Sequence, residues 1–306
     1  MDVSTYNHNT TSRITIGSFD GMHIGHQTII HQLVAQAHSH HQQAVVITFF
    51  PNPVVLFKNI KTPFYLTSDL EKRALLQEMG VDETIILPFD QELASTSAED
   101  FVHNLYEKYH FDTVYIGYDF RFGANREGDA QKLQEYGQKY GFSVAIQNPV
   151  LQADLPVSSS LIRQSIAAGE VESVYQLLNR WYSLTGEVVH GDGRGKKIGI
   201  PTANITSAPQ KLLPKDGIYA TRIKIDENVR PAAVSIGVRP TFYDNLVPRT
   251  VEAYILDWDV DIYQKTVTLE FIQRLRDELK YENAQSLTAQ IEKDILLTRE
   301  IVSNGK

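Results

Sequence analysis

The chain of 306 residues contains no cysteine. That absence removes disulfides, thiolate zinc sites, iron–sulfur clusters and a thiol nucleophile together, and it fits a reducing compartment. Positive charge is in short supply as well: 29 Lys and Arg stand against 37 Asp and Glu, a formal net charge of −8. A general nucleic-acid binder needs a basic surface to neutralise phosphates, so no nucleic-acid partner is expected, while a local basic pocket for one nucleotide is allowed. No apolar run is long enough to span a bilayer, and the polar stretch from Met1 to Thr11 has no apolar signal core. No membrane partner is expected, and a cytoplasmic enzyme is the simplest class. The chain also shows no internal repeat and no low-complexity linker. The remaining composition, 42% hydrophobic and 22% charged, is ordinary for a globular protein, at a length that favours two domains.

The first half alternates two periodicities. Short β-rich runs at Ile14–Ile16, Ala44–Phe50, Thr84–Leu87, Val114–Gly117 and Ser143–Ile146 are separated by stretches with apolar residues at three- and four-residue spacing. One such stretch opens with Ser68-Asp69-Leu70-Glu71, a capping-box pattern, and Ser97-Ala98-Glu99-Asp100 opens the next in a similar way. Strict alternation predicts a parallel sheet with helices on both faces, whose ligands sit beyond the carboxyl ends of the strands. A short helical segment from Leu161 to Leu178 closes this half. Beyond it, Tyr182–Val189, Gly217–Ile225, Ala232–Ile236, Val251–Ile255 and Thr266–Phe271 read as strands joined by Gly, Pro and Asp. That texture predicts a small antiparallel barrel. An amphipathic helix from about Ser286 to Leu297 comes last, and the domain boundary is placed near Asn179.

Several segments carry chemistry. The first strand runs into Gly17-Ser18-Phe19-Asp20-Gly21-Met22-His23-Ile24-Gly25-His26. Gly17 and Gly21 permit tight turns, Gly25 permits close backbone approach, and a helix beginning near His26 offers free N–H groups to phosphate. His23 and His26 can stabilise charge on a transferred phosphoryl group; alone, such a pair reads more often as histidines in a polar turn, and the full glycine–histidine string reverses that preference. Zinc is a poor reading without a third ligand nearby. Asp119 and Arg121 come after a strand and suit a polar ligand or a surface ion pair. Ser159, Ser160 and Arg163 place two hydroxyls and a guanidinium at a helix start, fit for a triphosphate or for capping alone. The loop through Gly191, Gly193, Arg194, Gly195 and Lys196 is neither a Walker A sequence nor a dinucleotide fingerprint, and reads as an anion nest or a hairpin loop. His38, His40 and His41 read as a solvated helix end.

The glycine–histidine string resembles the His-x-Gly-His signature of the nucleotidyltransferases and, in its longer form, the bifunctional riboflavin kinase/FMN adenylyltransferases of bacteria. Thr48-Phe49-Phe50-Pro51-Asn52-Pro53, Gly117-Tyr118-Asp119-Phe120-Arg121-Phe122-Gly123 and Ser158-Ser159-Ser160-Leu161-Ile162-Arg163 resemble further motifs of that family. So do Gly199-Ile200-Pro201-Thr202-Ala203-Asn204, Gly217-Ile218-Tyr219-Ala220, Ser235 to Phe242, Val251-Glu252 and Arg274-Leu275-Arg276, in family order from about Ile14 to Asp294. The resemblance implies a Rossmann-like nucleotidyltransferase domain over residues 1–178 and a β-barrel riboflavin kinase domain over residues 179–306. It implies ATP binding by Gly17, Phe19, Asp20, Gly25, Ser159, Ser160 and Arg163, with His23 and His26 at the chemistry. The loop from Gly191 to Lys196 takes the second ATP. Asn52, Asp119, Arg121 and Arg276 contact flavin, Thr202 and Asn204 ligate Mg2+, and Glu252 is the general base for the riboflavin hydroxyl. Riboflavin, FMN and ATP are the implied partners and FMN and FAD the products, with no covalent intermediate.

Some positions depart from the family pattern. Asn52 stands where His is expected and Ser160 where Thr is expected. Asn179-Arg180-Trp181 replaces Gly-Arg-Pro, Tyr254 replaces a common His, and Gln264 a common Gly. Rival readings therefore stay open on sequence: one live domain of the two, or a flavin-binding regulator. A nicotinamide or pantetheine transferase leaves the C-terminal motifs without a place. Oligomeric state leaves no sequence signal.

Overall fold

The computed structural model describes residues 11–191, 199–238 and 249–304. The chain forms two compact units, Met1–Ser159 and Ser160–Lys306.

In the first unit, strands β1 (Ser12–Ile16), β2 (Gln43–Phe50), β3 (Glu83–Pro88), β4 (Phe111–Gly117) and β5 (Ser143–Gln147) form a sheet in the order β3-β2-β1-β4-β5. All four pairings are parallel. The helices are α1 (Ile24–Ser39), α2 (Pro53–Phe57), α3 (Asp69–Glu78), α4 (Gln91–Ser95), α5 (Ala98–Tyr109) and α6 (Ala130–Tyr140). Alternation along the strands divides the core. Ile14, Ile16, Val45, Ile47, Val114 and Ile116 join Phe101, Val102, Leu105 and Leu133 of α5 and α6. Ala44, Val46 and Tyr115 turn the other way, onto Ile30, Leu33 and Leu76 of α1 and α3. β2 is buried on both faces from Ala44 to Thr48, and all of these but Thr48 are apolar. Both expected helix starts form. Ser68 and Glu71 make the reciprocal capping box, and the Ser97 hydroxyl accepts from Asp100 N–H at 3.1 Å. A small ribbon, β6 (Leu151–Gln152) with β7 (Leu155–Pro156), precedes α7 (Ser159–Ala168).

The predicted single helical segment over 161–178 is two helices, α7 and α8 (Val171–Leu178). The break falls at Gly169, whose φ of +86° cannot continue a helix. The division into compact units comes well before Asn179, so α8 belongs with the barrel, lying against strands β8 and β13. The texture change near Asn179 marks where helix gives way to strand; packing draws a different line.

In the second unit, β8 (Tyr182–Val189), β9 (Ala203–Ile205), β10 (Gly217–Ile225), β11 (Asn228–Val238), β12 (Arg249–Ile255) and β13 (Thr266–Arg276) close a barrel in the order β10-β11-β12-β9-β8-β13. Every pairing is antiparallel. Helix α9 (Ala284–Asn304) packs on β10, β11 and β13. Two positions that depart from the family pattern take a left-handed backbone here. Asn179, with φ +51°, ends α8 in the left-handed region, and Gln264 has φ +64°. Asn is the best non-glycine residue for the first of these.

Candidate active sites

Strand β1 pairs with β2 on one side and β4 on the other, so its carboxyl end opens at the point where the strand order reverses. The loop leaving it is tightly held. Gly17 N–H donates to the Ile47 carbonyl at 3.0 Å, and Phe19 and Met22, both buried, take positive φ of 44° and 46°. Non-glycine residues rarely adopt that conformation, and it persists only where the surroundings impose it. His23 is the N-cap of α1, its Nδ1 accepting from His26 N–H at 3.4 Å. An accepting Nδ1 puts the ring proton on Nε2. The His23 and His26 rings stack at 3.6 Å and 20°, and Phe19 meets His26 edge-on at 5.2 Å. A Cβ on Gly25 would lie 3.2 Å from the His23 ring, so the glycine admits that ring. Two imidazoles thus sit together at the amino end of a sixteen-residue helix, where backbone N–H groups and the helix dipole favour phosphate.

Other expected residues have different neighbours. Asp20 is 1% exposed, and its carboxylate accepts from Leu66 N–H at 2.9 Å and from Thr67 N–H and Oγ1 at 3.1 and 3.3 Å. It therefore anchors the loop to the 66–67 segment. The Ser159 hydroxyl donates to the Asp20 carbonyl at 2.7 Å, so it ties the start of α7 to the same loop. Ser160 is exposed and Arg163 half-buried, three residues apart on α7 and so on one helix face. Asn52 is buried and caps α2, its Oδ1 accepting from Val54 N–H at 2.9 Å, while its own N–H donates to Tyr65 OH. Sequence reasoning missed Lys72. It is 6% exposed, and its Nζ donates to the Ser18 carbonyl at 2.8 Å and to Thr48 Oγ1 at 3.4 Å. The available signal was a lysine four residues before Leu76, on the buried stripe of α3.

Asp119 and Arg121 are exposed on the loop after β4. Arg121 lines a cavity of about 870 Å³ at the carboxyl ends of β2 and β4. Its walls include Phe49, Phe57, Phe89, Phe120 and Phe122, and Lys58 and Arg126 join Arg121 among the lining residues. Aromatic walls with a few cations suit a flat, apolar ring system that carries a negatively charged group.

The second constellation lies on the barrel. Asn204 of β9 is the register partner of Glu252 of β12, which also faces Ser235 of β11. Thr202 Oγ1 donates to Glu252 Oε2 at 3.4 Å. A Cβ on Gly191 would fall 2.0 Å from Asn204 Nδ2, so the glycine lets that amide pack against the backbone. Three residues bearing hard oxygens, Thr202, Asn204 and Glu252, are therefore neighbours, all half-buried. The short strand carrying Asn204 is pinned from the other side. Thr206 N–H donates to the Glu187 carbonyl and Thr206 Oγ1 accepts from Glu187 N–H, both at 2.9 Å. A Cβ on Gly186 would lie 1.8 Å from the Thr206 carbonyl oxygen. Gly193, Arg194, Gly195 and Lys196 lie outside the described residues, as does the segment from Arg239 to Phe242. Arg276, expected at flavin, is committed elsewhere. Its Nε and Nη2 donate to the buried carboxylate of Asp294 on α9 at 3.0 and 2.7 Å, and its Nη1 donates to the Asp277 carbonyl. Fork-shaped pairing to a carboxylate fixes a guanidinium in place. Among the described residues, no group of three or more His, Asp or Glu could hold a metal.

Comparisons with known proteins match the chain in two parts. A family model described as FAD synthetase matches residues 5–161, and one described as riboflavin kinase matches residues 178–302. A protein of Listeria monocytogenes named bifunctional riboflavin kinase/FMN adenylyltransferase is 36% identical over 287 residues, covering 94% of this chain and 91% of its own. One of the same name from Escherichia coli is 34% identical over 289 residues, with the same coverage. A crystal structure of a Streptococcus pneumoniae protein named as a macrolide-efflux protein has the same fold, with a TM-score of 0.86 at 29% identity over 96% of this chain and 97% of that one.

Proposed function

The chain belongs to the bifunctional riboflavin kinase/FMN adenylyltransferases, and from that premise we propose which residues carry each of its two reactions. It phosphorylates riboflavin with ATP and adenylylates the resulting FMN with a second ATP to give FAD. We assign the kinase reaction to the Thr202–Asn204–Glu252 cluster of the barrel. Glu252 accepts the proton of the riboflavin 5′-hydroxyl as its oxygen attacks the γ-phosphorus and ADP leaves. Thr202 and Asn204 fit a magnesium ion, which prefers hard oxygen ligands and shares them with nucleotide phosphates. When bound, it neutralises phosphate charge. The neighbouring Gly191 loop, with Gly193, Arg194, Gly195 and Lys196, is the expected nest for those phosphates.

Adenylyl transfer belongs to the first unit. A phosphate oxygen of FMN attacks the α-phosphorus of ATP, and pyrophosphate leaves. The stacked His23 and His26 and the first turn of α1 stabilise the charge that develops, with Gly17 and Gly25 admitting the triphosphate. The cavity walled by Phe49, Phe57 and Phe120 takes the isoalloxazine ring, and Arg121, Arg126 and Lys58 supply positive charge for the FMN phosphate; Asp119, exposed on the same loop, is assigned to the flavin as well. None of the described helices is long and apolar enough to cross a membrane.

The observation that carries this reading is the cross-strand placement of Asn204 opposite Glu252 with the Thr202 hydroxyl 3.4 Å from the carboxylate. Incubation with riboflavin, ATP and Mg2+ and then chromatography of the products tests it. FMN and FAD are both expected; FMN alone overturns the assignment of the adenylylation site, and FAD only when FMN is supplied overturns that of the kinase site.

A further inference from the structure

A buried lysine is an expensive way to fill space. Removing an ammonium from water costs several kcal/mol unless it is well hydrogen-bonded, and a methionine of similar length would fill the same volume uncharged. Lys72 is 6% exposed. Burial draws its pKa below the ordinary lysine value, with Asp20 and Asp69 opposing that shift. Its Nζ points at the underside of the histidine loop rather than toward solvent. The Ser18 carbonyl accepts from Lys72 Nζ at 2.8 Å and from Thr48 Oγ1 at 3.2 Å, and Lys72 also donates to that hydroxyl. One carbonyl is thus gripped by two donors, from α3 and from the end of β2.

The residue after that carbonyl gives the grip its meaning. Phe19 is held at φ +44°, and its ring meets His26 edge-on, which in turn stacks on His23. Asp20 fixes the far side of the same turn through Leu66 and Thr67. A buried cation and a buried anion thus both hold the loop that leads to the two imidazoles.

We propose that Lys72 is a positioning residue for adenylyl transfer, setting through the Ser18 carbonyl and the left-handed Phe19 the place of the His23–His26 pair. This rests on the assignment of that pair to adenylyl transfer. Lys72 itself touches no substrate, so its loss lowers turnover and leaves substrate affinity in place. Misplacement of a catalytic group by about 1 Å costs up to roughly 10²-fold in rate.

The absence of cysteine allows a clean test. Lys72→Met and Lys72→Cys are made in the full chain, and Lys72→Cys is also alkylated with 2-bromoethylamine in denaturant and refolded, full modification being verified by mass, which rebuilds a lysine-like ammonium at that one buried position. FAD formation from FMN and ATP, riboflavin phosphorylation and thermal unfolding are measured on each. The expected result is a fall of about 10–100-fold in kcat for FAD formation in the methionine and unmodified cysteine variants. KM for FMN should change less than about twofold, kinase turnover should be retained, and kcat should recover on alkylation. Wild-type kcat in folded Lys72→Met overturns the proposal, as does a loss confined to KM or a loss that the restored ammonium does not reverse. If Lys72→Met does not fold, Thr48→Val decides. It removes one donor from the same carbonyl, a several-fold fall in kcat at constant KM is expected, and an unchanged kcat refutes the role. Failure of the wild-type protein to make FAD from FMN would instead refute the assignment of the site.

Discussion

A fragment beginning at Asn179 contains every strand of the barrel and all the proposed kinase residues, yet the packing predicts that it will not hold its fold. Cutting there removes α8. That helix buries Val171, Val174, Leu177 and Leu178 and lies against β8 and β13. Side chains of this size contribute roughly 1.5–3 kcal/mol each when fully buried, so the four together contribute about 6–12 kcal/mol. The whole stability of a domain is typically about 5–15 kcal/mol. The cut also exposes Trp181, whose ring packs on Tyr175 at 4.4 Å, and removes the Glu172 carboxylate that accepts from Arg274 N–H at 3.0 Å. A fragment from Ser160 to Lys306, the compact unit itself, keeps all of these. Denaturant unfolding of both fragments, with an assay for FMN from riboflavin, ATP and Mg2+, tests the argument. The longer fragment should unfold cooperatively, phosphorylate riboflavin and make no FAD. The shorter should lack a cooperative transition or show a far lower midpoint. Equal midpoints would refute the reasoning, and FAD formation by either would overturn the assignment of two sites.

The same geometry sets three further outcomes. His26→Ala should slow FAD formation about 10²–10³-fold, the usual consequence of losing one transition-state donor, while FMN formation continues; equal loss of both points to a folding defect. Glu252→Gln keeps shape but cannot accept a proton, so riboflavin phosphorylation should fall roughly 10²–10⁴-fold with riboflavin binding retained in a fluorescence titration. Lys72, its pKa lowered by burial from 10.5, gives up its proton in the folded protein before the unfolded chain does. Between the lowered value and 10.5 the unfolded state binds more protons, so stability rises with pH, and Lys72→Met should lack that rise in unfolding midpoints measured across the alkaline range.

The two architectures were legible because their periodicities differ. β2 reads as a parallel strand from the run Ala44–Phe50, and Tyr182–Val189 and Gly217–Ile225 read as barrel strands to the residue. Strand β9 was not legible. Three residues after a proline give no period, and only pairing with Glu252 and Val188 makes Ala203–Ile205 a strand. The roles of Asp20 and Arg276 were hidden for another reason. A motif marks that a residue type is needed, not whether its charge meets a ligand or a neighbour, and their partners, Leu66, Thr67 and Asp294, are far away in sequence. Lys72 was hidden by its type, since lysine in an amphipathic helix ordinarily marks the wet face. Asn179 and Gln264 looked like lost glycines, but both take a left-handed backbone here.

The clasp between Thr206 and Glu187 has a consequence for how kinase activity can be lost. Side chains alternate along a strand, so a one-residue slip of β9 would turn Asn204 away from Glu252 without altering a single proposed ligand. The hydroxyl that prevents the slip belongs to an exposed residue with no chemical duty of its own, and the glycine opposite admits no side chain. Thr206 and Gly186 are therefore places where a surface change could silence phosphorylation while every residue of the reaction centre remained intact. A search for inactive members of this lineage by the state of their catalytic residues alone would pass over such chains.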